Sequence, residues 1–263
     1  MAAGVRFAGK SVIVTGGAAG IGAAAVRLFA AEGAQVVIAD LDPAGEALAQ
    51  DLREQGRQAS FVRTDAADAD DAANLVAETL RRHGRLDVLH NNAGVLVIGD
   101  VTTLAETEWD RCIDSNLKSV FLVSRHAVPA MRQAGGGAIV NTASVAGKVG
   151  GRGYSAYCAS KAGILLLTQC MALDFAADRI RVNAVCPGPT ATAMVLGRTN
   201  APDRERARWA SELPAGRIGE PEDTARVVAY LASDEASFVT GAAWVVDGGR
   251  LLTGIGQSTV DRP

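Results

Sequence analysis

The sequence predicts an α/β protein in which a mostly parallel sheet is covered by helices on both faces. Short apolar runs rich in β-branched residues alternate with helical segments along almost the whole chain. The apolar runs are continuous, as in strands that are buried on both faces. A glycine-dense turn, Gly16–Gly22, follows the first run, and no internal repeat or linker divides the chain. We therefore predict one domain spanning residues 1–263.

The stretch Val12–Gly22 joins a strand to a tight glycine turn, and Ala23–Ala31 follows as a strong helix-forming segment. A helix that begins at such a turn presents free N–H groups and the positive end of its dipole, which together bind phosphate. Glycine lets the backbone approach a pyrophosphate closely. The turn ends Gly20-Ile21-Gly22-Ala23 rather than in the Gly-Lys-Ser/Thr of a P-loop, so nucleoside triphosphate chemistry is not expected. A turn without a ligand is the alternative interpretation.

A second strand, Gln35–Ala39, ends at Asp40. An acidic residue about 20 positions after the glycine turn typically binds the ribose 2′-hydroxyl of a dinucleotide. The alternative is that Asp40 caps a helix after Leu41. A carboxylate here would repel a 2′-phosphate, and Ala18 and Ala19 offer no cation to bind one. This arrangement favours NAD over NADP.

The remaining segments continue the alternation and complete a Rossmann-type, doubly wound sheet of seven strands. Ligands bind such sheets at the carboxyl ends of the strands, so the turns there surround one crevice. Further strands are predicted at Gln58–Val62, Leu86–His90, Ala138–Thr142, Ile180–Val185 and Ala243–Val246. Further helices are predicted at Pro43–Gln55, Ala69–His83, Leu104 to about Arg132 with a break near Pro129, Tyr154–Asp178 and Glu220–Ser233.

Composition excludes several classes of function. A net charge of −3 gives no basic field for nucleic acid or an anionic membrane, and no apolar run reaches the 18 or so residues of a membrane span. Met1–Lys10 lacks the apolar centre of a secretory signal. The cysteines lack metal-ligand spacing, so we expect buried free thiols in a reducing cytoplasm, with no metal and no disulfide. They are Cys112, Cys158, Cys170 and Cys186.

Tyr157 and Lys161 are four residues apart in a predicted helix and therefore share one face. The pKa of a free tyrosine, about 10, is too high for efficient acid–base catalysis at neutral pH. A nearby ammonium group favours the phenolate and lowers this pKa. Ser144, which follows the fifth strand, would donate a hydrogen bond to a substrate oxygen. A packed aromatic ring and a solvated lysine are the alternative for an isolated pair of this kind.

Several of these motifs occur together and in order, and the chain resembles the compact, single-domain short-chain dehydrogenases/reductases over nearly its full length. The motifs that carry the resemblance are Thr15-Gly16-Gly17-Ala18-Ala19-Gly20-Ile21-Gly22, Asn91-Asn92-Ala93-Gly94, Asn116, Ser144, Tyr157-Cys158-Ala159-Ser160-Lys161 and Pro187-Gly188.

The resemblance implies a role for each of four candidate catalytic residues. Tyr157 would be the general acid or base, and Ser144 would bind the substrate oxygen. Lys161 would lower the pKa of the tyrosine and bind the nicotinamide ribose. Asn116 would position a water molecule that links Lys161 to solvent, although the sequence alone shows only a helical amide there.

The resemblance also implies the residues that bind NAD, with Asp65 and Ala66 facing the adenine. Capping of a strand end is an alternative role for Asn91 and Asn92. Thr190 departs from the branched aliphatic residue that is usual in the family but keeps the backbone contact. The full set is Gly16, Ala19, Gly20, Ile21, Gly22, Asp40, Leu41, Asp65, Ala66, Asn92, Ala93, Gly94, Tyr157, Lys161, Pro187, Gly188, Thr190 and Thr192.

By the same resemblance, residues of about 190–217 form a substrate lid that includes Met194–Arg217. The residues implied near the substrate are small or apolar, which favours a neutral secondary alcohol or ketone. Arg152 is predicted to be a solvated surface residue, the alternative being a partner for a substrate carboxylate. The residues near the substrate are Val95, Val145, Gly150, Gly151, Met194 and Val195.

These observations predict an NAD-dependent oxidoreductase that interconverts a secondary alcohol and a ketone. The alternatives are an NADPH-dependent 3-ketoacyl-type reductase, which Asp40 disfavours, a non-catalytic NAD-binding protein, and a related lyase, dehydratase or epimerase. Apolar residues in Cys112–Arg132 and Tyr154–Ala177 exceed what one buried face needs, which indicates a homo-oligomer. The resemblance implies a homotetramer, and the tail at about 250–263 is long enough to reach a neighbouring subunit.

Overall fold

The structure, a computed structural model, describes residues 5–197 and 201–253. Within these ranges seven strands form one sheet, with every neighbouring pair parallel. They are β1 (Ser11–Thr15), β2 (Gln35–Asp40), β3 (Gln58–Arg63), β4 (Val88–Asn91), β5 (Gly137–Thr142), β6 (Ile180–Pro187) and β7 (Ala243–Val246). Their order is β3-β2-β1-β4-β5-β6-β7. This confirms the predicted Rossmann-type sheet.

Helices cover both faces of the sheet, and a π-helical segment, Asp114–Lys118, joins two of them. They are α1 (Gly20–Ala31), α2 (Ala44–Glu54), α3 (Ala69–His83), α4 (Glu106–Ile113), α5 (Ser119–Ala134), α6 (Ser155–Phe175), α7 (Ala193–Leu196), α8 (Pro202–Glu212) and α9 (Pro221–Ala232). The buried residues of α1, α2 and α9 pack on one face, and those of α3, α5 and α6 pack mainly on the other.

The two faces have separate apolar cores because successive side chains of a strand point in opposite directions. Val12 and Val14 of β1 pack with Phe29 of α1, whereas Ile13 packs with Leu75 of α3. All five side chains are fully buried. Burial of a side chain of this size stabilises the fold by about 1.5–3 kcal/mol. The continuous apolar runs in the sequence therefore reflect strands covered on both sides.

The predicted break near Pro129 is wrong, because α5 continues through it. Proline removes one helical N–H and displaces the carbonyl four residues earlier, here that of Arg125. Both residues are on the exposed side of α5, where that carbonyl can be hydrated. The irregularity lies instead in the π-helical segment Asp114–Lys118, which contains the buried Asn116. The predicted helix over 104–132 is thus two helices with a π-helical junction.

All four cysteines lie within the described ranges and are free. Cys112 and Cys186 are buried, as predicted, but Cys158 is half-buried and Cys170 is exposed. The prediction fails for these two because both lie on α6, which faces the sheet with only part of its circumference.

One stretch of the described chain, Ser155–Asp178, is long and apolar enough by composition to cross a membrane. Ile164 and Met171 of this stretch pack in the cores beside the sheet. Leu166 and Leu173 are exposed, the latter by 82%. The apolar composition of α6 therefore has two sources, a face that packs on the sheet and a second stripe outside it.

The chain order places a crevice above the middle of the sheet. From β1 the chain winds outward to β3 and then returns to β4 on the other side of β1. The loops that follow β1 and β4 therefore diverge, and the space between them opens at the carboxyl ends of the strands.

Candidate active site

A cleft of about 390 Å³ lies over the carboxyl ends of the strands, at the predicted edge. Gly22 and Asn116 do not line it: the side chain of Asn116 is fully buried, and Gly22 faces the backbone of Gly16. The other predicted catalytic and cofactor residues all line this one cleft. They are Gly16, Ala19, Gly20, Ile21, Asp40, Leu41, Asp65, Ala66, Asn92, Ala93, Gly94, Ser144, Tyr157, Lys161, Pro187, Gly188, Thr190 and Thr192.

The glycine turn fits a dinucleotide pyrophosphate. Gly16 has φ +61°, and a Cβ atom built on it would lie 2.8 Å from the Cα of Ala93. A Cβ atom on Gly22 would overlap the carbonyl oxygen of Gly16. Within the described chain, no side chain caps α1 at Ala19, and the first turn of α1 contains no acidic residue. Free N–H groups and the helix dipole therefore face the cleft, as an anionic ligand requires.

Side chains of β1 and of the loop after β4 hold this turn in place. The Thr15 hydroxyl oxygen accepts hydrogen bonds from the backbone N–H groups of Asn92 and Ala93, at 3.0 and 3.1 Å. The Asn92 amide donates to the carbonyl oxygens of Thr15 and Gly16, at 3.2 and 3.0 Å. Asn92 therefore holds the backbone of the glycine turn in place. This role goes further than the capping of a strand end, which was the alternative role proposed for Asn92.

Asp40 is directed back toward the glycine turn. Its carboxylate accepts hydrogen bonds from the N–H groups of Ala18, at 2.9 Å, and Asp42, at 3.0 Å. The N–H of Ala44 in α2 is bound by the side chain of Asp42, so Asp40 is not the residue that caps this helix. Lys161 is the one cation among the described residues that line the cleft. The end of the cleft at Asp40 is thus acidic.

Tyr157 and Lys161 extend from α6 into the cleft, and Ser144 reaches it from the end of β5. Burial raises the pKa of Tyr157 to about 12, and the Ser144 hydroxyl partly offsets this effect. Burial lowers the pKa of Lys161, whose side chain is only 4% exposed, to about 8.

Burial is the largest influence on the pKa of Tyr157, so the predicted lowering of this pKa by Lys161 is not seen in this structure. The Lys161 Nζ atom donates to the carbonyl oxygen of Thr142 at 2.8 Å. It lies 5.7 Å from the centre of the Tyr157 ring.

Asn116 lies in the π-helical segment, a form of helix common at functional sites. Its Oδ1 atom accepts from the N–H of Val95 at 2.7 Å, and its Nδ2 atom donates to the carbonyl of Val95 and the hydroxyl of Ser160, both at 3.0 Å. The amide thus joins the loop after β4 to α6. With these partners, its side chain positions the wall of the cleft beside Lys161 rather than extending into the cleft.

Apolar side chains line the end of the cleft that the resemblance assigns to the substrate. Val95, Met194 and Val195 line it as predicted, whereas Val145, Gly150 and Gly151 do not. Arg152 is exposed and is not a lining residue. Thr190 and Thr192 lie in the loop after β6, where the Thr190 hydroxyl donates to the carbonyl of Gly188 at 3.1 Å.

The predicted lid contains α7 and α8, and its residues 198–200 lie outside the described residues. Of the predicted tail, residues 250–253 form a 3₁₀ turn and its end, and residues 254–263 lie outside the described residues. Within the described ranges, no group of three or more His, Cys, Asp or Glu side chains is arranged to hold a metal ion.

Sequence reasoning missed several residues of the cleft. Thr142 ends β5 and Thr64 directly follows β3, and both strands were correctly predicted, so these positions were available from the sequence. Ser115 belongs to the π-helical segment, which no periodicity in the sequence indicates. His90 directly precedes Asn91 and does not line the cleft. It is fully buried, with its Nε2 atom 2.9 Å from the hydroxyl of Thr142, which does line it. A histidine in a strand that is predicted to be buried is the signal that could have found it.

Comparison with known proteins agrees with this geometry. A family model described as enoyl-(acyl carrier protein) reductase matches residues 16–250. The chain is 44% identical to cis-4-hydroxycyclohexanecarboxylate dehydrogenase of Sinomonas cyclohexanicum, over 94% of this chain and 98% of that protein. It is 41% identical to cyclopentanol dehydrogenase of Comamonas sp., over 93% and 98%. It is 38% identical to a 3-oxoacyl-(acyl carrier protein) reductase of Thermotoga maritima, over 94% and 100%.

Solved structures show the same likeness. A short-chain type dehydrogenase/reductase from Mycobacterium marinum superposes with a TM-score of 0.87 at 33% identity, over 94% of this chain and 97% of that one. The motifs, the sheet order and the relatives agree over nearly the whole length. The chain therefore belongs to the short-chain dehydrogenase/reductase family, whose members are oxidoreductases that use a nicotinamide cofactor.

Proposed function

We propose that this protein oxidises alicyclic secondary alcohols to ketones with NAD, or catalyses the reverse reaction with NADH. One observation carries the proposal. Ser144, Tyr157 and Lys161 line the same cleft as the uncapped helix N-terminus and the acidic residue Asp40. The cleft thus combines a proton-transfer group with a dinucleotide site, which is what alcohol dehydrogenation requires.

In the proposed reaction, the protein orients the alcohol and transfers its hydroxyl proton. Ser144 donates a hydrogen bond to the substrate oxygen, and Tyr157, as the phenolate, takes the hydroxyl proton and becomes the neutral phenol. The charge of Lys161 stabilises the phenolate, and this stabilisation requires a pH at which the lysine remains protonated. The nicotinamide ring supplies the hydride acceptor when NAD is bound. Apolar walls at Val95 and Met194 exclude water from the substrate end.

Asp40 supports NAD rather than NADP as the cofactor. Its carboxylate lies at the edge of the glycine turn, 2.9 Å from the Ala18 nitrogen. A ribose 2′-hydroxyl can donate a hydrogen bond to a carboxylate, whereas a 2′-phosphate would be repelled by it. Since Lys161 belongs to the catalytic end, no other described lining residue offers a cation for that phosphate.

The alicyclic substrate class is supported by the relatives and by the lining of the cleft. Two relatives are named for alcohols on a six-membered or five-membered ring. Val95, Met194 and Val195 present branched or flexible apolar surfaces that suit a saturated ring. A ring with a carboxylate, as in the first of these relatives, would need a cation. Arg152 does not line the cleft, so we propose that a neutral ring is preferred.

A second candidate is an NADPH-dependent reductase of 3-oxoacyl thioesters. It is supported by the 38% identical reductase and by the description of the matching family model. Asp40 argues against the cofactor of that reaction. A binding protein without catalysis is disfavoured because it has no use for Ser144, Tyr157 and Lys161 together.

The test incubates the protein with NAD or NADP and one of four alcohols, and follows the absorbance of the NADH or NADPH that forms. The alcohols are cyclohexanol, cyclopentanol, cis-4-hydroxycyclohexanecarboxylate and a 3-hydroxyacyl thioester. We expect turnover with NAD and the two neutral cyclic alcohols. Turnover confined to NADP and the thioester would replace the proposal by the second candidate. Binding of NADH without turnover of any alcohol would contradict the substrate class but leave the cofactor site supported.

We further propose that the chain is one domain and acts as a cytoplasmic homotetramer. The exposed apolar side chains of Phe121 on α5 and of Leu166 and Leu173 on α6 support a subunit interface. The four free cysteines suit a reducing compartment. Light scattering at micromolar concentration should give about four times the mass of one chain, and a monomer would contradict the assembly.

A further inference from the structure

His90 is a fully buried histidine that the proposed reaction does not use. It is the third residue of β4 and lies between Val14 of β1 and Val140 of β5 in the sheet. Its Nδ1 atom has no hydrogen-bond partner among the described residues. Burial lowers the pKa of His90 to about 3, so the ring is neutral at physiological pH. A buried polar atom without a partner is unusual. The contacts of the other ring nitrogen, Nε2, account for it.

The backbone carbonyl oxygens of Thr15 and Gly16, at the glycine turn, can only accept hydrogen bonds. The Asn92 Nδ2 atom donates to the carbonyls of Thr15 and Gly16, which fixes the orientation of the amide. The Asn92 Oδ1 atom must therefore accept a hydrogen bond. Its donor is the hydroxyl of Thr142, at 3.3 Å.

This orientation determines the state of the imidazole. The Thr142 hydroxyl has one proton, which it gives to Asn92, so its oxygen accepts from the Nε2 atom of His90 at 2.9 Å. The proton of the neutral ring is therefore on Nε2, and the unpaired Nδ1 atom is an acceptor. The hydrogen bonds run in one direction, from His90 through Thr142 and Asn92 to Gly16.

Thr142 connects the same chain of hydrogen bonds to the catalytic end. Its backbone carbonyl oxygen accepts from the Lys161 Nζ atom at 2.8 Å. One residue at the end of β5 thus binds His90 and Asn92 with its side chain and Lys161 with its backbone. A shift of the Thr142 backbone would therefore move the contacts of its side chain and the contact of its carbonyl together.

We propose that His90 is a positioning residue that, through Thr142, fixes Asn92 against the glycine turn and Lys161 in the catalytic cleft. The pyrophosphate end and the ribose end of the cofactor site are then aligned by one neutral imidazole inside the sheet. The inference deepens the proposed function, because it concerns the same cofactor site. NADH binding tests it without any alcohol substrate.

Variants of His90 either remove the Nε2–H donor or replace it with another N–H donor. His90→Leu is close in size and has no polar atom, whereas His90→Gln retains an N–H donor at a similar reach. Thr142→Val removes the hydroxyl group that accepts from His90 and keeps the shape of the side chain. Val88→Ala is the matched control, since Val88 is buried two residues earlier on the same face of β4 and belongs only to the apolar core.

The dissociation constant of NADH, measured by fluorescence well below the melting temperature, is the main readout. We expect about three- to tenfold weaker binding in His90→Leu and Thr142→Val, and binding within about twofold of the parent in His90→Gln. The double variant His90→Leu/Thr142→Val should bind NADH no more weakly than either single variant, because the two substitutions break the same chain of hydrogen bonds. Val88→Ala should lower the melting temperature and leave NADH binding unchanged.

Equal NADH binding by His90→Leu and the parent would overturn the proposal, as would a loss in His90→Gln as large as in His90→Leu. A second readout requires no ligand. The chain has three histidines, so nitrogen NMR of labelled protein can isolate the signal of His90. We expect the neutral Nε2–H form without titration from pH 5 to 9, and the Nδ1–H form would overturn the proposal. If the parent binds NADH but oxidises no alcohol, the proposed function fails and this inference is still decided.

Discussion

The two ends of the cleft are built in different ways. At the glycine turn, β1 is fully buried, and the side chains of Thr15 and Asn92 bind backbone groups on both sides of the turn. At the predicted lid, α7 and α8 contain no buried residue in the part that the structure describes, and Met194 is 40% exposed. One end is held by partly buried hydrogen bonds to the backbone, and the other by side chains at the surface.

This difference explains which part of the function the sequence specifies. A site formed by backbone needs glycine at defined positions, because any side chain would occupy the space of the ligand or of the neighbouring strand. A site formed by exposed side chains tolerates many residues, and its ion pairs contribute only about 0–1 kcal/mol each. The cofactor is therefore specified more strictly than the substrate.

The largest effect is expected where both ends meet, at Tyr157. Tyr157→Phe removes the proton-transfer group and leaves the ring, so kcat/KM for alcohol oxidation should fall about 1,000-fold. NADH binding should remain within about twofold, because the glycine turn is unchanged. Steady-state kinetics and fluorescence titration measure the two quantities. Retention of more than about a tenth of the parent activity would contradict the proposed role.

A smaller but still large effect is expected from crowding of the backbone at the glycine turn. The Cβ atom of Gly22→Ala would overlap the Gly16 carbonyl. It would also approach the Asn92 amide, which is held by its hydrogen bonds to the carbonyls of Thr15 and Gly16. The strain should cost about 1–3 kcal/mol in stability, and NADH should bind about 30-fold more weakly. Thermal unfolding and fluorescence titration measure these losses.

Gly150→Ala is the matched control for this variant. Gly150 has no described atom within 4 Å of a built Cβ atom and does not line the cleft. We expect its stability and its NADH binding to equal those of the parent. Equal losses in the two variants would mean that backbone packing at the turn is not what holds the cofactor.

The same contrast accounts for what could be predicted from the sequence. The strands, the glycine turn and Asp40 were predictable, because apolar runs and glycines are local signals. The π-helical segment Asp114–Lys118 was not, since its register depends on the amide of Asn116 binding Val95 far along the chain. The direction of Lys161 toward Thr142 depends on a contact between α6 and β5 that no spacing reveals.

Cofactor choice should change by an intermediate amount. Asp40→Ala removes the carboxylate that would repel a 2′-phosphate, so the preference for NAD over NADP should fall about 10- to 100-fold. Ratios of kcat/KM for the two cofactors with one cyclic alcohol measure the change. Asp42→Ala is the control, since that carboxylate binds the N–H of Ala44 and does not line the cleft. An unchanged ratio in Asp40→Ala would refute its role in ribose recognition.

The smallest effect is expected at the predicted lid. There Arg206 of α8 pairs with Glu220 at the start of α9, with their side chains 2.6 Å apart and both about half exposed. Arg206→Ala removes this exposed pair, so KM for the alcohol should rise by no more than about threefold, with kcat and NADH binding unchanged. Glu212→Gln is the control, because Glu212 pairs with Arg208 inside α8 and does not connect it to the body.

A tenfold or larger rise in KM for Arg206→Ala would show that the exposed end of the cleft is specified as strictly as the buried one. The two ends of the cleft would then not differ in how strictly their residues are specified. A rise of two- to threefold, seen in Arg206→Ala and absent in Glu212→Gln, would instead show that weak surface contacts set the position of α8. The alcohol specificity of this protein could then change through surface substitutions that leave Tyr157 and the glycine turn untouched.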